Sequence, residues 1–288
     1  YLHNQVTQFR PLMAPDRSIY DLFKVIFPES SLMLKEHFRC VSSIIEYSKR
    51  EHYNHELKPI RLPKASERLD PPLIDILVED GCRKVEGDTN SAEARFIVDE
   101  IKRINVDPNL CDRTIGVVSL LGTRQANEIW NLLQDELGPE IINQHDISCG
   151  DAKAFQGKER DIMFISMVVS PGNAQAQTKD ITAQRFNVAA SRARDRMYLV
   201  RSIELEELSP KDELRRKLIT HFSQPFANDE KLVEGMREKC ESDFEREIYD
   251  LLTERGYRVL SQIKAGEYRL DMVVEGHKDA LLAIECDG

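Results

Sequence analysis

At 288 residues with 41% hydrophobic content, the chain is long enough to bury one large core, or a medium core plus part of another. A formal charge of -10 and a pI near 5.3 exclude a histone-like protein that holds nucleic acid by overall charge, though not a motor whose basic residues line one track. No apolar run approaches a membrane span, the start Tyr1-Leu-His-Asn lacks the regions of a signal peptide, and the six cysteines form no Cys-x-x-Cys pair. A soluble cytoplasmic protein with reduced structural thiols, no zinc site and no disulfide framework is expected.

Residues 1–29 are turn-rich, with Pro11, Pro15 and Pro28 as breakers and Ile19–Phe27 as a short amphipathic segment, and read as the tail of an earlier domain. From Leu32 a strand, a turn carrying Arg39 and a helix begun at Ser42 or Ser43 are predicted. A Pro-interrupted connection, Leu57 to Pro72, leads to a strand over Leu73–Val78. Asn90-Ser-Ala-Glu93 is a capping box that opens a helix with Ala94, Ile97, Val98, Ile101 and Ile104 on one face, a pattern that core packing explains.

Ile115–Leu121 reads as a central strand, followed by Gly122-Thr-Arg-Gln125 and a helix bearing Ala126, Ile129, Trp130, Leu133 and Leu137, closed by Gly138. Ser119, Thr123 and Gln125 stand where a strand ends and a helix starts. Hydroxyl and backbone donors there suit a phosphate, and capping by Thr123 is the plain alternative.

The charged loop Lys153–Asp161 feeds an apolar, β-branched run, Ile162–Val169, and Gln184–Arg196 precedes another strand, Met197–Val200. Gly157 lets a ligand approach the backbone, Gln156 and Glu159 offer neutral and anionic contacts, and Arg192 and Arg194 offer planar cationic donors. A charged loop beside an arginine-rich helix marks an anion site where strands end and helices begin. The alternation of strands and helices from Leu32 to Val200 implies an α/β fold with a parallel sheet covered on both faces.

Phe155-Gln-Gly-Lys-Glu-Arg-Asp161 and Phe186-Asn-Val-Ala-Ala-Ser-Arg-Ala-Arg194, each before a strand, resemble motifs V and VI of superfamily 1 helicases, the group that includes the nonsense-mediated decay helicase. His37-Phe-Arg39 resembles the motif IV region. The resemblance covers roughly Leu32 to Ser202 and implies a RecA-like P-loop NTPase second core domain. It places Arg39 and Arg192 at the γ-phosphate of ATP, Gln156, Gly157 and Glu159 at the nucleotide, with Glu159 at the ribose, and Ser119, Thr123 and Gln125 on the tracked strand. The sequence contains no Gly-x-x-x-x-Gly-Lys-Ser/Thr, so the first RecA-like domain of the same chain is an expected partner and the fragment alone is expected not to hydrolyse ATP.

Residues 204–240 are highly charged and read as a helical spacer with a solvated face. Ser242-Asp-Phe-Glu245 is a second capping box, after which strands over Val259–Ile263, Tyr268–Val274 and Ala280–Cys286 are joined by turns bearing Gly266 and Gly276. Asp271, Glu285 and Asp287 fall at alternating positions that suit one face of that sheet, and hard oxygen ligands of this kind suit Mg²⁺. Asp271 with Ile284-Glu-Cys-Asp-Gly288 resembles the start of a PD-(D/E)xK endonuclease of the very-short-patch-repair type, which implies a partial α+β restriction-endonuclease-like domain with Asp271 and Glu285 as metal ligands. Asp287 stands where that family carries lysine, and Glu245 is a cap or an accessory ligand.

The organisation expected is therefore 1–30, tail of a preceding domain; 31–203, second RecA-like domain; 204–240, linker; 241–288, start of the endonuclease-like domain. The chain reads as an excised piece of an ATP- and Mg²⁺-dependent helicase or translocase acting on nucleic acid, DNA favoured over RNA, with an attached endonuclease. The alternatives are a DNA endonuclease with a structural helicase-like carrier and a non-catalytic nucleic-acid-binding scaffold.

Overall fold

The computed structural model describes residues 19–30, 32–61, 63, 68–84, 86–223, 236–255, 257, 259–265, 268–275 and 281–287. Pro11, Pro15, Gly266, Gly276 and Gly288, named above, lie outside them. The chain divides into two compact units at Glu36/His37. The first contains helix α1 (Ile19–Ile26), the expected amphipathic segment. The strand expected from Leu32 shrinks to β1 (Glu36–His37), and Leu32 and Leu34 are exposed.

The second unit continues through α2 (Ser42–His52), β2 (Lys58–Pro59), β3 (Leu73–Leu77), α3 (Ser91–Val106), β4 (Ile115–Ser119), α4 (Thr123–Gln144), β5 (Ser148–Asp151), β6 (Arg160–Ser166), α5 (Asp180–Ala189), β7 (Ala193–Arg201) and α6 (Glu213–Ser223). Strands β3-β7-β6-β4-β5 form one parallel sheet in that order, so the expected α/β fold with a parallel sheet is what the chain adopts. Helix α4 breaks at Gly138 (φ 75°), where the left-handed backbone favours glycine, as the sequence predicts.

Alternation along the strands splits their side chains between two cores. Ile115, Val117, Ile162, Phe164, Tyr198 and Val200 face the stripe of α3 and α4, with the Phe164 and Tyr198 rings stacked at 4.4 Å. Val118, Met163, Ile165, Met197 and Leu199 face α2, α5 and α6 on the other side. Ile162 and Phe164 are fully buried, and each such side chain contributes about 1.5–3 kcal/mol.

Two expectations are corrected here. The charged stretch after Glu204 does not stand off as a solvated spacer: Leu208, Leu218, Ile219 and Phe222 enter the first core, because the apolar positions of α6 recur at helical spacing beneath the charged ones. The arginine-rich segment is not a helix at Arg192 and Arg194: α5, which holds Arg185, ends at Ala189, Arg192 lies in the following turn, and Arg194 is the second residue of β7.

The remaining elements are α7 (Asp243–Glu254), β8 (Val259–Ala265), β9 (Tyr268–Glu275) and β10 (Leu281–Ile284), a helix followed by an antiparallel meander in the order β10-β9-β8. Ser242 caps α7, accepting from the Glu245 N–H at 3.1 Å. Met236, Cys240, Tyr249, Val259, Leu260, Met272 and Val274 build its own small core. Among the described residues no helix is long and apolar enough to cross a membrane.

Candidate functional site

The loop from Ala152 to Glu159 is anchored by one ring. Phe155, 1% exposed, tucks beneath the sheet, and Gly116 leaves it room, since a Cβ there would sit 2.8 Å from Phe155 Cε1. Asp151 accepts from the Ala154 N–H at 3.1 Å, and Gly157 turns the chain at φ 79°, which leaves Gln156 and Lys158 exposed before β6. Arg160 then pins the loop's end, donating to the Asp146 carbonyl at 2.9 Å and to Ser148 Oγ at 2.8 Å.

Arg39 reaches this loop from the β1–α2 turn. Its Nε donates to Glu159 Oε2 at 2.6 Å and its Nη1 to the Ser191 carbonyl at 3.2 Å. The turn is held by the Cys40 N–H, which donates to His37 Nε2 at 3.1 Å, and by the Val41 N–H, which donates to the Arg194 carbonyl at 3.0 Å. Burial, and then the Arg39 charge, lower His37 to about 4, so its ring is neutral and free to accept. Burial pushes the Cys40 thiol up to about 12.

Arg192, half-buried, donates from Nη1 to the Lys158 carbonyl at 3.4 Å, while its buried Nε has no hydrogen-bond partner among the described residues. Burial, and then the nearby Arg39 cation, hold its pKa below the usual value. Two guanidinium groups that raise each other's cost, one with an unused donor, fit an anion with several acceptor oxygens. Arg194 adds a third cation, 3.9 Å from Glu159 and 3.5 Å from Asp161. The structure thus brings Arg39, Gln156, Gly157, Glu159 and Arg192 to one place.

That place corrects the strand-end expectation. Glu159 and Arg192 precede β6 and β7, so the cluster lies at the amino ends of these strands. Ser119 lies at the carboxyl end of β4, in register with Ser166 of β6. Arg160 and Ser166 are the two ends of the seven-residue strand β6, roughly 20 Å apart. The phosphate-like and strand-contact candidates therefore occupy opposite ends of the sheet.

At the carboxyl end, two of three candidates are not available to a ligand. Gln125 is 0% exposed: its Oε1 accepts from the Asn90 N–H at 2.7 Å, and its Nε2 donates to the Asn90 carbonyl at 3.0 Å and to Ser166 Oγ at 3.1 Å. Ser119 is 2% exposed and accepts from the Leu121 N–H at 3.4 Å. Thr123 is exposed and does not cap, because the cap position is Gly122 at φ 110°.

Beneath them lies a group that core packing alone did not suggest. Glu93, fully buried, accepts from Ser166 Oγ at 2.7 Å, the Val168 N–H at 2.9 Å, Ser202 Oγ at 3.0 Å and Asn90 Nδ2 at 3.2 Å. Burial raises its carboxyl to about 7 against the pull of these donors. The signal was present: Glu93 lies four residues before Ile97 and eight before Ile101, on the buried stripe.

In the meander, Asp271 Oδ2 accepts from the Cys286 N–H at 2.8 Å, while Glu285 and Asp287 are exposed. Glu245 accepts from the Glu241 N–H, Gln262 Nε2 and Ser242 Oγ at 3.0, 2.8 and 3.1 Å, and these bonds outweigh burial to hold its carboxyl below the usual range. Among the described residues no group of three His, Cys, Asp or Glu side chains is placed to hold a metal ion. Asp271, with one oxygen taken by the Cys286 N–H, and the exposed Glu285 are therefore two carboxylates without a third such side chain beside them among the described residues.

Residues 16–204 match the family model described as an AAA domain, and residues 244–288 match the one described as REase_MTES_1575. Among curated proteins the chain is 24% identical to the DNA polymerase alpha-associated DNA helicase A of Saccharomyces cerevisiae, covering 66% of this chain and 30% of that one. The chain therefore spans under a third of that relative's length. Among solved structures it is similar to the C-terminal domain of a possible DNA helicase from Lactobacillus plantarum WCFS1, at 14% identity and a TM-score of 0.34, covering 62% of this chain and 92% of that one.

Proposed function

Since the chain belongs to the AAA domain family across residues 16–204, with a five-stranded parallel sheet and a restriction-endonuclease-like match over residues 244–288, we propose that it is the second core domain of an ATP-dependent helicase or translocase acting on DNA. The observation that carries this reading is the pairing of Arg39 with a half-buried Arg192 whose Nε has no partner among the described residues. An ATP γ-phosphate supplies acceptors for the Arg192 Nε and negative charge for a pair that otherwise has Glu159 beside it. Arg39 contacts it in the bound state, and Arg192 is the finger that stabilises charge as the phosphoryl group leaves.

In this reading the phosphate loop is supplied by a first RecA-like domain across the cleft, as the resemblance of the Phe155–Asp161 and Phe186–Arg194 segments to helicase motifs V and VI implies. Gln156, Gly157 and Glu159 line the nucleotide on this side, Glu159 at the ribose. The exposed first turn of α4, at Thr123, meets the nucleic-acid strand at the far end of the sheet. Domain closure on ATP and opening after hydrolysis then move the two core domains relative to each other and step the protein along the strand. The meander domain belongs to a nuclease that acts on what the motor exposes.

The test is Arg192→Ala in the full-length helicase. An arginine finger accounts for roughly 10³ to 10⁵ in rate, so nucleic-acid-stimulated hydrolysis should nearly vanish while the protein stays folded. Near-normal hydrolysis removes Arg192 from this role and the reading with it.

A further inference from the structure

A carboxylate lies three residues after Arg192 in the sequence and is almost sealed from water. Asp195, on β7, is 1% exposed and ion-pairs with Arg61 Nη2 at 2.6 Å and Arg113 Nη1 at 3.4 Å. Arg61 is itself nearly buried, and its other terminal nitrogen, Nη1, donates to the backbone carbonyl of Arg39 at 2.9 Å. One planar fork thus spans from the strand that follows Arg192 to the peptide of Arg39. On the other flank of the same turn, the Val41 N–H donates to the Arg194 carbonyl at 3.0 Å.

Buried ion pairs add little net stability, because desolvation offsets their attraction. The arrangement does supply geometry. Arg39 and Arg192 come from segments more than 150 residues apart, with |i−j| = 152 for the Arg39 to Ser191 bond, and their mutual repulsion acts to separate them. Two backbone anchors, one through Arg61 and one through Val41, oppose that separation.

We propose that Asp195 and Arg61 form a positioning strut that holds Arg39 at a fixed distance from Arg192. Neither residue touches the phosphate; both act through the peptide of Arg39. The inference rests on the ATP-site reading above. Lysine in place of Arg61 keeps the charge opposite Asp195 but has no fork with which to reach the Arg39 carbonyl at the same time. Lysine in place of Arg113 keeps the charge beside the same carboxylate and leaves the Arg61 bridge to the Arg39 carbonyl in place.

The experiment measures ATP hydrolysis and thermal stability of the full-length helicase carrying Arg61→Lys, Arg113→Lys or Arg192→Ala. Misplacement of a reacting contact by about an ångström costs up to about 10²-fold, so Arg61→Lys should lower kcat roughly 10- to 100-fold with KM and melting temperature little changed. Arg113→Lys should leave kcat at the wild-type value. Wild-type kcat in Arg61→Lys, or an equal loss in Arg113→Lys, overturns the strut. Loss in Arg192→Ala beside full activity in Arg61→Lys defeats the strut alone, whereas activity in Arg192→Ala defeats the site reading. If Arg61→Lys does not fold, Asp195→Asn is read by the same kcat-against-KM split, and a kcat equal to wild type again overturns it.

Discussion

Glu159 accepts a hydrogen bond from Arg39 Nε at 2.6 Å, joining two loops that lie 120 residues apart in sequence. Both side chains are partly open to solvent, at 46% and 31%, so the pair contributes about 0–1 kcal/mol to stability. Its consequence is for binding, because the cation it neutralises is the one assigned to phosphate.

Glu159→Gln keeps a polar amide for the ribose and removes only the charge that competes for Arg39. The expected outcome is an unchanged melting temperature and a KM for ATP lower by about two- to fivefold, the equivalent of up to ~1 kcal/mol. Steady-state ATPase assays of the full-length protein check it. A higher KM would instead favour a ribose contact that requires the carboxylate.

Glu93 makes stability depend on pH. Its folded value of about 7 lies above its ordinary 4.5, so the native state holds a proton that the unfolded chain releases between these values. The stabilisation is complete below about pH 4.5 and lost as pH rises through about 7, a span worth about 3 kcal/mol. Urea unfolding of wild type and Glu93→Gln at pH 5 and pH 8 should show a shallower pH dependence in the variant. Equal slopes would show that Glu93 does not titrate in this window.

Gln125 and Thr123 are neighbours in sequence with opposite expected phenotypes. Gln125→Leu strands the buried Asn90 N–H and its carbonyl, and should cost about 1–3 kcal/mol of stability by chemical denaturation. Thr123→Ala removes an exposed hydroxyl with no capping bond, so stability should hold while affinity for single-stranded DNA falls by about 1 kcal/mol. A destabilised Thr123→Ala, or a neutral Gln125→Leu, would reverse the assignment.

Gly116→Ala drives a methyl group into the Phe155 ring and the Met163 sulfur. Overpacking of this kind costs about 1–3 kcal/mol. Because Phe155 anchors the loop that carries Gln156 to Glu159, the loss of melting temperature should come with a higher KM for ATP. A lower melting temperature with unchanged KM would show the loop to be held without that ring.

The fold was largely legible in the chain. Apolar runs such as Ile162–Val169, whose first five residues lie in β6, the capping boxes at Asn90 and Ser242 and the break at Gly138 are local patterns that the sequence displays directly. The expected solvated spacer failed because its charges masked an apolar stripe, Leu218, Ile219 and Phe222, that meets a partner from elsewhere in the chain. Glu93 escaped because a capping-box glutamate ordinarily sits at an open helix end, and here that end is covered by β6 and β7.

By itself the sequence determined which residue types stand at each strand and helix end, and hence the parallel sheet and the arginines available to it, since backbone periodicity and capping act over a few residues. Tertiary structure alone decided which of those residues meet: Arg39 beside Arg192, Glu159 and Arg61 at one end of the sheet, Gln125 sealed against Ser166 and Glu93 at the other. The physical reason is that contact across a hundred or more residues is set by strand order and packing, and burial then converts a polar side chain from a ligand contact into a structural tie.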